Sequence, residues 1–252
     1  MVDTVHVERK QEKLFGDQAA SVELLWGGRA EPRRGPKPAL SLDEIVRTAI
    51  DIADAEGLAA VSMQRLADDL GFTKMAMYRY VPGKSELVAL MADHASGPPP
   101  DLTSAGDGWR PKLREWGLRL YDVLHAHPWV ITATTGLRVL GPNELGWAET
   151  ALAALAGTGL DGAEQLDTVG LISGHVRSLA QQTASVPHAT WGLTEGQYTA
   201  AMAELISRRP ADFPALTAVL TSAAGSPGRE QGLEYGLDRI LDGIQAHLAD
   251  HD

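Results

Sequence analysis

Residues 66–84 read LADDLGFTKMAMYRYVPGK. Leu66, Ala67 and Leu70 recur at helical spacing, Gly71 interrupts the run, and Thr73 opens a second short run that Val81, Pro82 and Gly83 end. Glycine closes a helix in the left-handed region at little steric cost, and a threonine hydroxyl caps the next one. Two short helices joined by a tight glycine-containing turn form a helix-turn-helix pattern. The second carries Tyr78, Arg79 and Tyr80. Such a trio either closes a small core or grips another molecule, and residue type alone leaves both readings open.

Upstream, Leu42, Ile45, Val46, Ala49, Ile50 and Ala53 recur at three- and four-residue steps, with Asp43, Glu44, Arg47, Asp51 and Asp54 on the other face. That periodicity predicts an amphipathic helix. Ser41 with Glu44 makes a capping box, and Gly57 ends the helix. Ser62 caps the helix that holds Leu66, and KSELVALMADHA from Lys84 makes a fourth helix. Residues 1–40 form a polar extension whose end, WGGRAEPRRGPKPAL, is too rich in glycine and proline for a regular element. Arg29, Arg33, Arg34 and Lys37 cluster there against Glu31 alone, so it reads as a flexible basic arm. The preceding VELLWGG suggests no function.

Gly97 with Pro98–Pro100 and then DLTSAGDG marks a boundary between a head over 41–96 and a larger domain over 97–252. Beyond it, helices are expected over 109–126, 129–135, 143–155, 161–182, 195–208, 210–220 and 229–249, with no strand signal. The fold class is therefore all-α. The 252 residues are 44% hydrophobic, enough to bury a sizeable core, and the formal net charge of −11 restricts any nucleic-acid contact to a local basic patch. With no cysteine there is no disulfide framework or thiolate zinc site. Neither a long apolar run nor a signal-peptide core appears, so a cytoplasmic location without membrane insertion is expected.

In a helix-turn-helix, the second helix enters the major groove and its N-terminal residues meet base edges. Leu66, Leu70, Phe72 and Met77 then form the inner face. Met75 and Ala76 suit thymine methyl groups, Lys74 or Arg79 suits guanine, and Gln64 is a further base reader. Tyr78, Tyr80 and Lys84 suit phosphate oxygens.

The stretch from about Leu40 to His94 resembles the DNA-binding domain of the TetR family of transcriptional repressors. IVRTAIDIADAEGLAAVSM followed by LADDLGFTKMAMYRYVPGKSELVALM carries its leucine-alanine pair, glycine turn, tyrosine near the end of the recognition helix and lysine opening the fourth helix. The resemblance implies that Tyr78 and Lys84 contact phosphate, with Ser62 or Thr73, and that Gln64, Lys74, Met75 and Ala76 face bases. The tetracycline repressors have tryptophan and histidine after that tyrosine; Arg79 and Tyr80 here imply a different operator. Beside such a head, Arg33, Arg34 and Lys37 suit the minor groove. The family also places a variable helical domain after the head, for dimerisation and inducer binding.

Two helices suit a four-helix dimer contact. One carries the stripe Leu233, Leu237, Ile240, Leu241, Ile244 and Leu248; the other has Gly170 and Gly174 one turn apart. An ordinary intradomain core fits the same stripes. Trp109, Trp116, Trp129, Trp147 and Trp191 gather in this half with His125, His127, His175 and His188. Indoles suit either a core or a pocket for a partly aromatic ligand. The candidate ligand-binding residues are Trp116, Leu120, His125, Trp129, Trp147, His175 and Trp191. HPW after the first long helix resembles the subgroup of the tetracycline repressors.

GTGLDG at 157–162 matches a dinucleotide fingerprint, but the helix-forming AETALAALA precedes it where a strand is needed. His125 and His127 are two apart and face different ways on a helix, so no metal site is expected. No catalytic constellation or cofactor site emerges. The expected protein is a homodimeric regulator that binds double-stranded operator DNA and a small-molecule inducer. The alternative is a helical small-molecule-sequestering protein with a vestigial head.

Overall fold

The computed structural model describes residues 16–27, 40–184, 195–223 and 230–250. Among them lie twelve α-helices and no strand. A 3₁₀ turn at Gly16–Gln18 leads into α1 (Ala19–Trp26). The head comprises α2 (Leu42–Glu56), α3 (Met63–Leu70), α4 (Lys74–Tyr78) and α5 (Lys84–Ser96). The remainder comprises α6 (Trp109–Ala126), α7 (Trp129–Ala133), α8 (Pro142–Leu155), α9 (Gly162–Ala184), α10 (Glu195–Ser207), α11 (Pro214–Ala223) and α12 (Glu230–Ala249).

Local chemistry explains the boundaries in the head. The hydroxyls of Ser41, Ser62 and Thr73 accept from the backbone N–H groups of Glu44, Arg65 and Ala76. Each removes one orphan donor from a helix start, worth about 1 kcal/mol. Gly71 closes α3 at φ 72°, in the left-handed region. Ile45, Leu66, Met77 and Leu87 are fully buried around these caps, each contributing about 1.5–3 kcal/mol relative to exposure. The recognition helix is shorter than its sequence suggests: α4 ends at Tyr78, and Arg79 and Tyr80 form a turn that leads into buried Val81. The helix expected from Pro210 starts instead at Pro214, whose fixed φ suits a first helical position.

Part of the extension is helical. Its Gly16–Trp26 portion packs on α5, with Ser21 and Val22 buried. Gln18 accepts from Val139 N at 2.8 Å, and the Trp26 indole donates to Leu140 O at 2.9 Å. The basic residues Arg33, Arg34 and Lys37 lie outside the described residues.

In the larger part, α6, α9 and α12 pack together around Leu113, Ile172, Val176, Leu237 and Leu241. Gly117 permits this approach: a Cβ there would lie 2.9 Å from Leu237 and 3.3 Å from Ile172. Arg114 on α6 bonds Glu234 and Asp238 on α12, fixing their register from the solvent side.

Candidate DNA-reading head and ligand cavity

Several residues expected to meet DNA are exposed on the head. Met75 is 74% exposed although it is apolar, and Tyr78 is 40% exposed. Lys74 and Arg79 are exposed, and the Lys74 ammonium lies 5.9 Å from the Tyr78 ring centroid. Ala76 is half-buried against the core. Gln64 is exposed and donates to Asp68 at 2.8 Å. Lys84 is exposed and reaches Leu58 O at 3.4 Å. Ser62 and Thr73, exposed as well, already spend their oxygens as caps while their hydroxyl protons remain to donate.

Tyr80 departs from the phosphate-binding expectation. Its ring packs on the core, and its hydroxyl donates to Leu40 O at 3.0 Å. That bond ties Leu40, just ahead of α2, to the turn that follows α4. A partner forty positions away leaves no local signal in the sequence.

A cavity of about 230 Å³ lies in the larger part. Trp116, Leu120 and Trp147, three of the expected ligand residues, line it. The two indoles meet edge to face, with centroids 6.2 Å apart, and Trp116 Nε1 donates to Trp147 O at 2.9 Å. Val123, Val130 and Val169 extend the apolar wall.

Other expected ligand residues lie elsewhere. His125 is exposed and stacks on Tyr121. Trp129 is buried, but its indole donates to Asp54 Oδ1 of α2 at 2.6 Å, beside His127 Nδ1 at 2.8 Å from the same oxygen. It ties the head to the larger part. The His175 ring sits against Gly236, where any Cβ would collide with it, and is 3.3 Å from Leu233 O. Trp191 lies outside the described residues.

The polar cavity residues were not predicted. Arg138 forms a bidentate pair with Glu144, Nη1 lying 2.8 Å from Oε2. Arg177 Nη2 donates to Ile131 O and to Thr134 Oγ1, both at 2.6 Å. Burial, then repulsion from Arg138, lowers the Arg177 pKa, with Glu144 opposing. Val169, Ser173 and Arg177 follow one another at four-residue steps and all line the cavity, a spacing visible in the sequence.

Cavity and head share bonds. Trp147 Nε1 donates to Ser96 O at 3.0 Å and to Gly97 O at 3.2 Å, at the end of α5. Glu144 N donates to Asp93 Oδ1 at 3.0 Å, so a head carboxylate caps α8 where Gly141 has no side chain to do so. A Cβ at Gly141 would strike that carboxylate. Burial raises the Asp93 pKa, opposed chiefly by the bond from Glu144 N.

Family models match twice: residues 45–91 fit the bacterial regulatory proteins of the tetR family, and residues 102–248 fit the tetracyclin repressor-like C-terminal domain. The chain belongs to the tetR family. The HTH-type transcriptional repressor DrrR1 of Streptomyces coeruleorubidus is 35% identical over 239 residues, 93% of this chain and 88% of that protein. Apo ActR from Streptomyces coelicolor has a similar structure, with TM-score 0.73 and 26% identity over 86% of this chain and 100% of that one. ActR in complex with actinorhodin gives TM-score 0.70 and 28% identity over 85% and 99%. The protein is accordingly a ligand-responsive, DNA-binding regulator. Among the described residues, no helix is long and apolar enough to cross a membrane.

Proposed function

We propose that the chain is a non-enzymatic, cytoplasmic, homodimeric repressor that leaves a near-palindromic operator when a small apolar, partly aromatic molecule fills the cavity. Residues 41–96 read DNA, residues 97–252 dimerise and bind the effector, and residues 28–40 serve as a basic arm. The observation that carries this reading is the contact between the cavity wall and the end of α5: Trp147 lines the cavity and bonds the carbonyls of Ser96 and Gly97. A ligand that displaces the indole shifts α5, and with it the recognition helix. Its effect is limited to its differential affinity for the two arrangements.

On the DNA, Lys74, Met75, Ala76, Arg79 and Gln64 face bases, while Ser62, Thr73, Tyr78 and Lys84 hold phosphates. Arg33, Arg34 and Lys37 add minor-groove contacts whose counterion release offsets an acidic body. A dimer face on α9 and α12 is supported by exposed Leu166, Leu171 and Tyr235, and by the open space around Gly170 and Gly174. Repression is supported by the likeness to DrrR1, and a small-molecule effector by the likeness to ActR in complex with actinorhodin.

Selection of bound duplexes from a random pool at two salt concentrations tests the reading. An inverted repeat with half-sites about one helical turn apart or slightly more is expected. Failure of a folded, dimeric protein to enrich any sequence contradicts it and favours a sequestering role.

A further inference from the structure

The cavity is apolar around most of its wall, yet its charges do not balance. Arg138 and Glu144 neutralise each other. Glu144 is also committed to Gly141 N, at 3.2 Å from Oε2. Arg177 is different. Among the described residues, only its Nη2 has partners, the neutral oxygens of Ile131 and Thr134. Among the described residues no carboxylate pairs with it, and its Nε and Nη1 donors have no bond. Its two remaining donors are left to solvent, and burial together with Arg138 weighs against its charge, so an anion at this edge would be favoured.

Each ligand class meets this arrangement differently. A cation would face Arg177 and have to break the Arg138–Glu144 pair, removing the bond that holds Gly141 N at the start of α8. A neutral carbonyl could accept from Nε or Nη1 but would leave the guanidinium charge unmatched. An anionic oxygen satisfies both donors in the fork geometry guanidinium offers. Meanwhile Trp116, Leu120, Val123 and Trp147 provide flat and aliphatic surface for the rest of the molecule.

We infer that the cavity takes a flat aromatic molecule bearing one acidic group, a carboxylate or acidic phenolate, whose oxygen is held by the free edge of Arg177. This deepens the proposed function and rests on its reading of the cavity as the effector site.

Matched probes test the inference without knowledge of the natural effector. Full-length protein is titrated with 2-naphthoate against 2-naphthamide, and with anthraquinone-2-carboxylate against its carboxamide, using calorimetry and indole fluorescence. At neutral pH the acid of a pair should bind at least about tenfold more tightly than the amide, the scale of a charge-assisted hydrogen bond. The preference should fall below about threefold in Arg177→Gln and persist in Arg177→Lys, while Ala148→Phe, at a cavity-lining position, should abolish binding of both. Equal binding of acid and amide to the unaltered protein overturns the inference and leaves the effector site standing; that comparison needs no variant to fold. A preference that survives Arg177→Gln also overturns it. Absence of binding by all four probes overturns both the inference and the cavity reading beneath it.

Discussion

Trp147, whose indole forms part of the cavity wall, donates from Nε1 to the carbonyl of Ser96, the last residue of α5, at 3.0 Å. One side chain therefore joins the cavity wall to the terminus of the head. The same indole also reaches Gly97 O, and its own carbonyl receives Trp116 Nε1. Trp147→Phe should keep the ring contact and lose the shared donor. Stability to urea should drop by about 1 kcal/mol, the net value of such a bond, and amide exchange should quicken at the end of α5. Unchanged exchange there would remove the indole from the link.

Gly141 and Asp93 make a second contact between cavity and head. The missing Cβ at 141 leaves room for the carboxylate that caps α8. Gly141→Ala should cost about 1–3 kcal/mol in chemical unfolding, as overpacking does, although Gly141 has an ordinary φ of −85° and no left-handed strain to relieve. A neutral or stabilising result would mean that the α5–α8 contact is loose.

Asp93 also gives a pH signature. Burial raises its pKa in the folded chain, so the folded state holds the proton more tightly than the unfolded state. The favourable contribution is present below the unfolded pKa of about 3.9 and is lost as pH rises through the raised folded value. Asp93→Asn retains an oxygen to accept from Glu144 N without the charge. The melting temperature of the unaltered protein relative to Asp93→Asn should therefore fall as pH climbs from about 4. A difference that grows in the opposite direction contradicts the assignment.

Phosphate and base contacts separate by their sequence dependence. Tyr78→Phe should weaken binding to all duplexes by a similar factor, whereas Lys74→Ala and Met75→Ala should relax discrimination at particular base pairs by about 1–3 kcal/mol. Competition binding against single-base operator variants measures both. Uniform loss from every variant would contradict the placement of α4 in the major groove.

The head was legible because its signals are local. Ser41, Ser62, Thr73 and Gly71 announce helix ends within a few residues of the apolar steps they flank. The Tyr80–Leu40 bond was not legible because its acceptor, Leu40 O, comes from distant chain. The place of Trp129 was hidden for a similar reason: an indole in an apolar run suits a pocket, and nothing local shows that Asp54 of the head takes its N–H. His125 pairs with Tyr121, four residues earlier, on a solvent face. Glu144 and Arg177 escaped because charged residues in amphipathic helices read as solvated faces, and Arg138 because it lies in the loop before α8; Val169, Ser173 and Arg177 on a single stripe were the available clue. In VELLWGG, Val22 and Trp26 lie four apart, yet nothing local shows that they meet α5 and the Leu140 carbonyl.

The central claim is that filling the cavity moves the head, and a side chain can replace the unidentified effector. Ala148 lines the cavity, so Ala148→Phe places a ring inside it. The most direct measurement is the affinity of the selected operator for the unaltered protein and for this variant, by fluorescence anisotropy at fixed salt with dimerisation verified. The account predicts binding at least about tenfold weaker in the variant, within the usual range of allosteric coupling. Equal affinity, with the cavity shown to be filled and the fold intact, would contradict it.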